Sequence, residues 1–305
     1  MRRGLLVGVA TLVALEWPAV ALAHGDSLPV SGLGGAWQPA PTVLAAAGLA
    51  FALFAQAFVR LRRRGRADHA PWSRPALFAL ALALLVLALL SPLDAVGEEY
   101  LLSGHMLQHV LVGDAAPALL LVALRGPLAL FLLPGAVLRP LARLRPLRAA
   151  LAFLLRPRTS FAAWAAVFGA WHVPAPYQYA LTHQTVHDLE HATFLAVGLL
   201  VWAQLVDPAR RGALSIPGRV RFAVALFAAG LVLADVLIFS FEPLYGAYAA
   251  QDERVLGLSP LADQRLAGIV MMAEQTLTLG TCGAILLRAH QRGAWAARTR
   301  AASRP

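Results

Sequence analysis

Two pentapeptides carry histidine at both ends: His105-Met106-Leu107-Gln108-His109 and His187-Asp188-Leu189-Glu190-His191. On a helix, four residues rise about 6 Å and turn slightly more than once, so each pair shows both imidazoles on one face. Each pair is a two-ligand clamp, and two clamps brought together make a cage for a transition metal. His172, in Trp171-His172-Val173-Pro174, can add a further imidazole. Imidazole suits copper, zinc, iron and nickel, and four nitrogens in one plane suit Cu(II). Met106, Met271 and Met272 offer thioether sulfur for Cu(I), or else fill gaps in a core. His183, one turn before His187, is either a ligand met by an incoming ion or a solvated loop histidine. His24 could bind copper through amine and imidazole if it opens a mature chain.

The elements that position these residues are membrane helices. The 305-residue chain is 59% hydrophobic and 14% charged, with a mean hydropathy of +0.65. A soluble domain is roughly 45–50% apolar and about 25% charged. The expected fold is therefore an all-α polytopic bundle. A span needs about 20 apolar residues, which places seven at 40–60, 75–92, 103–124, 160–178, 186–206, 220–241 and 265–288. Residues 1–23 resemble a cleavable signal: Arg2 and Arg3, an apolar run from Leu5 to Leu15, then Ala21-Leu22-Ala23. The alternative is an additional transmembrane helix. The organisation expected is a signal at 1–23, a short segment at 24–39, a membrane domain at 40–288 and a basic tail at 289–305. The segment 127–138 is apolar but bounded by Pro127, Pro134 and Pro140, which suits a re-entrant or surface helix. The single cysteine, Cys282, excludes an intrachain disulfide and a Cys-x-x-Cys motif.

The basic residues are all arginine, 26 of them, and the net charge is +10. Beyond Arg2 and Arg3, all but Arg254 and Arg265 fall in alternate connections: Arg60 to Arg74, Arg125 to Arg158, Arg210 to Arg221, and the tail. The other connections are acidic, with Asp94, Glu98, Glu99, Glu242, Asp252, Glu253 and Asp263. The positive-inside rule then puts the start of the first span outside and the C-terminus in the cytoplasm. The charge is a match to anionic lipid at the inner surface, with no aromatic-interleaved stripe for nucleic acid. His105, His109, His172, His183, His187 and His191 share the outer side, while His69 and His290 lie on the inner one.

Acids within spans are costly and tend to be functional. Asp114, Asp235 and Glu274 are such acids. Glu274 could ligate beside the methionines, and Asp114 and Asp235 could receive ring N–H groups from ligating histidines. Asp263 could do the same, or cap a helix after Ser259-Pro260.

The motifs resemble the CtaG family of multi-span, caa3-type cytochrome c oxidase assembly factors. The resemblance runs in order through His105 to His109 with Ala116-Pro117 and Gly126-Pro127; Trp171-His172 with Pro174; Val186-His187 to Phe194 with Trp202; and Asp263-Gln264 with Ala267-Gly268 and Met271-Met272. It covers about residues 40–288. Glu274-Gln275 is more polar than the family pattern. The resemblance implies a role in assembling haem-copper oxidase in a bacterial inner membrane. The implied partners are an oxidase subunit or a periplasmic copper chaperone.

The expectation that follows is copper capture at the periplasmic face and handover within the membrane. Copper would pass His183, Glu98 and Glu99 and be held by His105, His109, His187 and His191, with His172 and the methionines tuning affinity. Zinc or haem b are the other cofactors this ligand set admits. The alternatives are a haem-binding electron carrier with His109 and His191 as axial ligands, a copper permease, and a zinc peptidase on the H-x-x-E-H pattern with Glu190 as base. The repeated i, i+4 pairs exceed what haem needs, and Gln108 cannot serve as a second base.

Overall fold

The computed structural model describes residues 29–209 and 212–302, with side chains through residue 292. The expected signal segment and His24 lie outside the described residues. The regular elements among the described residues are helical: α1 (Pro41–Arg63), α2 (Ser73–Leu90), α3 (Leu102–Ala123), α4 (Pro127–Phe131), α5 (Gly135–Arg143), α6 (Arg145–Leu154), α7 (Pro157–Trp171), α8 (Pro174–Leu181), α9 (Gln184–Val206), α10 (Ile216–Phe239) and α11 (Pro260–Ala302), with short helical turns between them. Six of these, α1, α2, α3, α9, α10 and α11, are long and apolar enough to cross a membrane.

The expected span at 160–178 takes another form. Pro174 holds Val173 extended (φ −68°, ψ 131°) and starts a new helix at its own position. The chain is thereby divided into α7, 15 residues, and α8, 8 residues. Fifteen residues rise about 22 Å, less than the roughly 30 Å of a hydrocarbon core. The pair still carries the chain along α9. Gln204 donates to the Leu155 carbonyl at one end (2.9 Å), and Trp171 donates to Thr193 further on (2.9 Å). Gln178 of α8 then accepts from the Ala247 amide, 3.0 Å, at the end of the bundle where the histidines lie.

The apolar segment 127–138 is not a long helix. It forms α4 and the start of α5. Leu128 is buried against Phe54, Phe58 and Leu61, and Gln56 donates to the Phe131 and Leu132 carbonyls (3.0 and 2.8 Å). Helices α5 and α6 bury no residue, and they expose Val137, Leu141, Leu147 and Leu151 among their arginines. That is the composition of helices lying on a membrane surface.

Lipid tails are as apolar as leucine, so close packing and polar contacts must join the helices. Leu49, Phe51, Leu87, Val232, Phe239 and Leu277 face outward. Inside, Val201, Trp202, Leu205, Leu226 and Leu279 form one cluster toward the arginine-bearing end. Leu102, Met106, Tyr177, Leu237, Tyr245, Tyr248 and Met271 form another around the histidines. Helix α3 is central and packs against α2, α9 and α11.

A candidate metal centre between α3 and α9

Helix α3 is built to bring its histidines against α9. Its turn Leu111–Ala115 is a π-turn. Pro117 has no N–H to offer the Gly113 carbonyl, and the wider turn absorbs the missing bond. At the same level Gly198 of α9 packs so close that a Cβ there would overlap the Gly113 carbonyl. This contact of small residues fixes the approach of the two histidine-bearing helices. The start of α3 is held from α11. Asp263 accepts the Leu102 and Ser103 amides (2.7 and 3.1 Å) and the Ser103 hydroxyl (2.5 Å). Asp263 is therefore a cap on another helix, satisfying amides that have no partner within α3, rather than an acceptor for imidazole.

The two pentapeptides meet. His105, His109, His187 and His191 are all buried. Ring centroids are 4.3 Å apart for His105–His109 and 4.2 Å for His187–His191, and 5.3 to 6.1 Å between helices. Potential ligand atoms of His105, His187 and His191 lie within 4.8 Å of one another, as do those of His105, His109 and Glu190.

Glu190 completes this group. It is 0% exposed, and neither carboxylate oxygen has a hydrogen-bond donor. Its oxygens lie 3.4 Å from His109 Nε2 and 4.0 Å from His105 Nε2. A carboxylate in a dry interior needs a positive partner.

The hydrogen-bond network fixes which ring nitrogens are free. The Tyr248 hydroxyl donates to the Gly97 carbonyl (2.7 Å), so it accepts from His105 Nδ1 at 3.3 Å. Tyr177 adds a contact to the same hydroxyl at 2.8 Å. His105 Nε2 then presents a lone pair and accepts from His109 Nε2 at 2.8 Å. His187 Nδ1 donates to Glu98 at 2.7 Å, which leaves His187 Nε2 buried with no partner. His191 Nε2 and His109 Nδ1 are buried without partners as well. Nitrogen ligands of a tetrahedral ion stand about 3.3 Å apart at bond lengths near 2.0 Å. A bound ion would take the place of the proton shared by His105 and His109 and part the two rings slightly. Burial keeps Tyr248 protonated, well above the usual phenol range, so it remains the fixed partner of His105.

The other expected residues divide into two groups. His172 joins the cluster: its Nδ1 donates to the Phe168 carbonyl (2.7 Å), and its Nε2 faces Met106 Sδ at 3.3 Å. Met106 and Met271 line a cavity of about 40 Å³ together with His109 and His172; Met272 is not among its lining residues. His183 stands apart, exposed and stacked on Tyr179 at 3.8 Å. Asp114 accepts from the Trp202 indole and, at 3.3 Å, from Thr278. It meets Glu274 rather than an imidazole. Among the described residues, no hydrogen bond joins Asp235 to the cluster. Asp94 lies just beyond α2 and accepts from Gln108, which also donates to the Ala88 carbonyl at 2.9 Å.

The family model for cytochrome c oxidase caa3 assembly factors (Caa3_CtaG) matches residues 52–292. The chain belongs to this family. No curated protein and no solved structure matches it. In this caa3 assembly factor the matched stretch runs from α1 into α11 and takes in every residue of the cage. Two residues at the assembly factor's cage lie outside the ligand set expected from histidine spacing, although Glu190 appears there as the base of the peptidase pattern. Glu190 sits three residues after His187 and one before His191, which places it on the shared face. Tyr248 comes from the short helical turn Gly246–Ala249 after α10, and nothing local in the sequence ties it to His105.

Proposed function

We propose that this assembly factor captures a copper ion in the cage of His105, His109, His187, His191 and Glu190, and passes it to an oxidase subunit in the same membrane. The observation that carries the reading is Glu190, a fully buried carboxylate without a donor, set among imidazoles with free buried nitrogens. Four imidazoles and one carboxylate suit a first-row transition ion, copper above all by affinity order. Zinc is the competitor that the same donors would accept. The close spacing of the rings, 4.2 to 6.1 Å between centroids, suits an ion and leaves no room for a macrocycle between them. Glu190, enclosed by imidazoles on both sides, supports a counter-charge role over that of a peptidase base.

In the proposed topology the histidine-bearing end faces the periplasm and the arginine-bearing loops face the cytoplasm. The chain crosses the bacterial inner membrane seven times, α7 and α8 together making the crossing that neither could make alone. Glu98, bonded to His187 at the outer edge, would be the first acid an incoming ion meets. His172 and Met106 would adjust the preference between oxidation states, thioether favouring Cu(I). The donor of copper would be a periplasmic chaperone, and its recipient an oxidase subunit.

The test is the double variant His109→Ala/His191→Ala. The purified protein should lose its nitrogen-coupled copper signal in electron paramagnetic resonance, and cells carrying the variant should hold less active oxidase. Normal oxidase copper content in such cells would refute the handover.

A further inference from the structure

The histidine cage is not the end of the polar interior. Beyond it, toward the arginine-bearing end, Asp114 of α3 and Glu274 of α11 bring their carboxyl groups into contact. Asp114 takes two donors, the Trp202 indole and the Thr278 hydroxyl. Both Glu274 oxygens are buried, and neither meets an N–H or O–H donor. Two touching carboxyls cannot both be charged without a positive species between them, either a shared proton or a bound cation.

A cavity of about 40 Å³ joins this pair to the cage. Its lining includes His109, His172, Met106, Met271, Asp114 and Glu274. One water needs roughly 10–15 Å³ measured this way, so an ion with part of its hydration fits. His109 is 96% buried, and its Nδ1 has no partner. With the cage empty, His109 Nε2 carries the proton shared with His105 and Nδ1 presents a lone pair; an ion in the cage takes Nε2 and leaves the ring's proton on Nδ1. The π-turn contributes to this layout. Residues five apart on a regular α-helix point about 140° apart. The wider turn brings Asp114 round to the side of His109.

We propose that Asp114 and Glu274, with the thioethers of Met106 and Met271 above them, form a second and deeper site for a divalent first-row cation. The cavity is the passage between it and the cage. The site stands on its own geometry and rests on the proposed function only for where its ion comes from. It extends the ligand path about 7 Å further into the membrane than the histidines reach, five residues along α3.

Copper(II) chloride added to full-length protein in detergent tests the site, with bound metal counted by elemental analysis and its ligands read by electron paramagnetic resonance. Asp114→Asn/Glu274→Gln should bind one ion fewer per chain than the parent while keeping the nitrogen-coupled signal of the cage. His105→Ala/His187→Ala should lose that signal and keep the oxygen-ligated ion. Glu274→Asp keeps the charge but shortens the reach, and should weaken the second ion on the order of tenfold. It decides the matter if the double variant does not fold. Equal metal content and affinity in the parent and these acid variants would mean that only a proton bridges the pair, and would overturn the site. An acid-dependent ion in a parent chain without the nitrogen-coupled signal would sink the cage reading and leave the deeper site standing.

Discussion

Glu190 of α9 lies 3.4 Å from His109 Nε2 of α3, and both side chains are shut away from solvent. The contact crosses between the two histidine-bearing helices, so it ties the carboxylate to the geometry of the whole cage. With the His105–His109 proton in place, Glu190 meets partial positive charge only at the edge of one ring. A divalent ion held by the same imidazoles would face it directly.

Glu190→Gln keeps the shape and removes the charge. Copper affinity should fall by about 10- to 100-fold, the range seen when a carboxylate supporting a metal site is lost. A competition titration against a chelator of known affinity measures it. The folded state should gain from the same change, because a buried charge without a donor is costly. The variant should therefore melt at a higher temperature without metal and show a smaller rise on adding copper. Unchanged copper affinity would take Glu190 out of the ligand set.

What the sequence makes legible here is what repeats locally. The paired histidines, the six long spans and the alternation of arginine all follow from spacing and composition within single segments. His183 fits the helical stripe by number, yet it falls at the N-cap of α9 and turns outward to stack on Tyr179. Hydropathy alone runs straight through His172-Val173-Pro174, where the proline's backbone restriction divides the helix. Asp263 is 161 residues from the amide it caps, and Tyr248 is 143 from His105. Partners that far apart along the chain leave no local pattern, and only the packed bundle brings them together.

The approach of α3 and α9 gives a prediction about packing. Gly198→Ala places a methyl where the Gly113 carbonyl lies. Overpacking of this kind costs about 1–3 kcal/mol, and the backbone must part to relieve it. The cage spans that contact, so copper affinity should drop together with the thermal midpoint. Gly169→Ala in α7 is the control, since a Cβ there meets nothing within 4 Å. It should leave copper affinity unchanged and should not lower the thermal midpoint, since alanine favours the helix over glycine. Loss of stability in Gly198→Ala with full copper affinity would show that the helix approach does not set the ligand geometry.

Asp94 gives a prediction in pH. Burial, and then the nearby Glu98 carboxyl, push Asp94 up from 3.8 to about 7. The unfolded chain releases this proton near the lower value, whereas the folded chain keeps it until about 7. Between these limits the folded state binds more protons, so stability falls as pH rises. The contribution is fully present below the lower value and is lost once the higher one is passed. Asp94→Asn mimics the protonated form and can still accept from Gln108. The difference in thermal midpoint, variant minus parent, should be near zero at about pH 4, grow through the interval, and level off above about pH 7. Comparing variant with parent removes the titration of groups the two share, apart from their coupling to Asp94. A difference that stays flat across this interval would mean that Asp94 is already charged in the fold at low pH, with Gln108 alone enough to hold it.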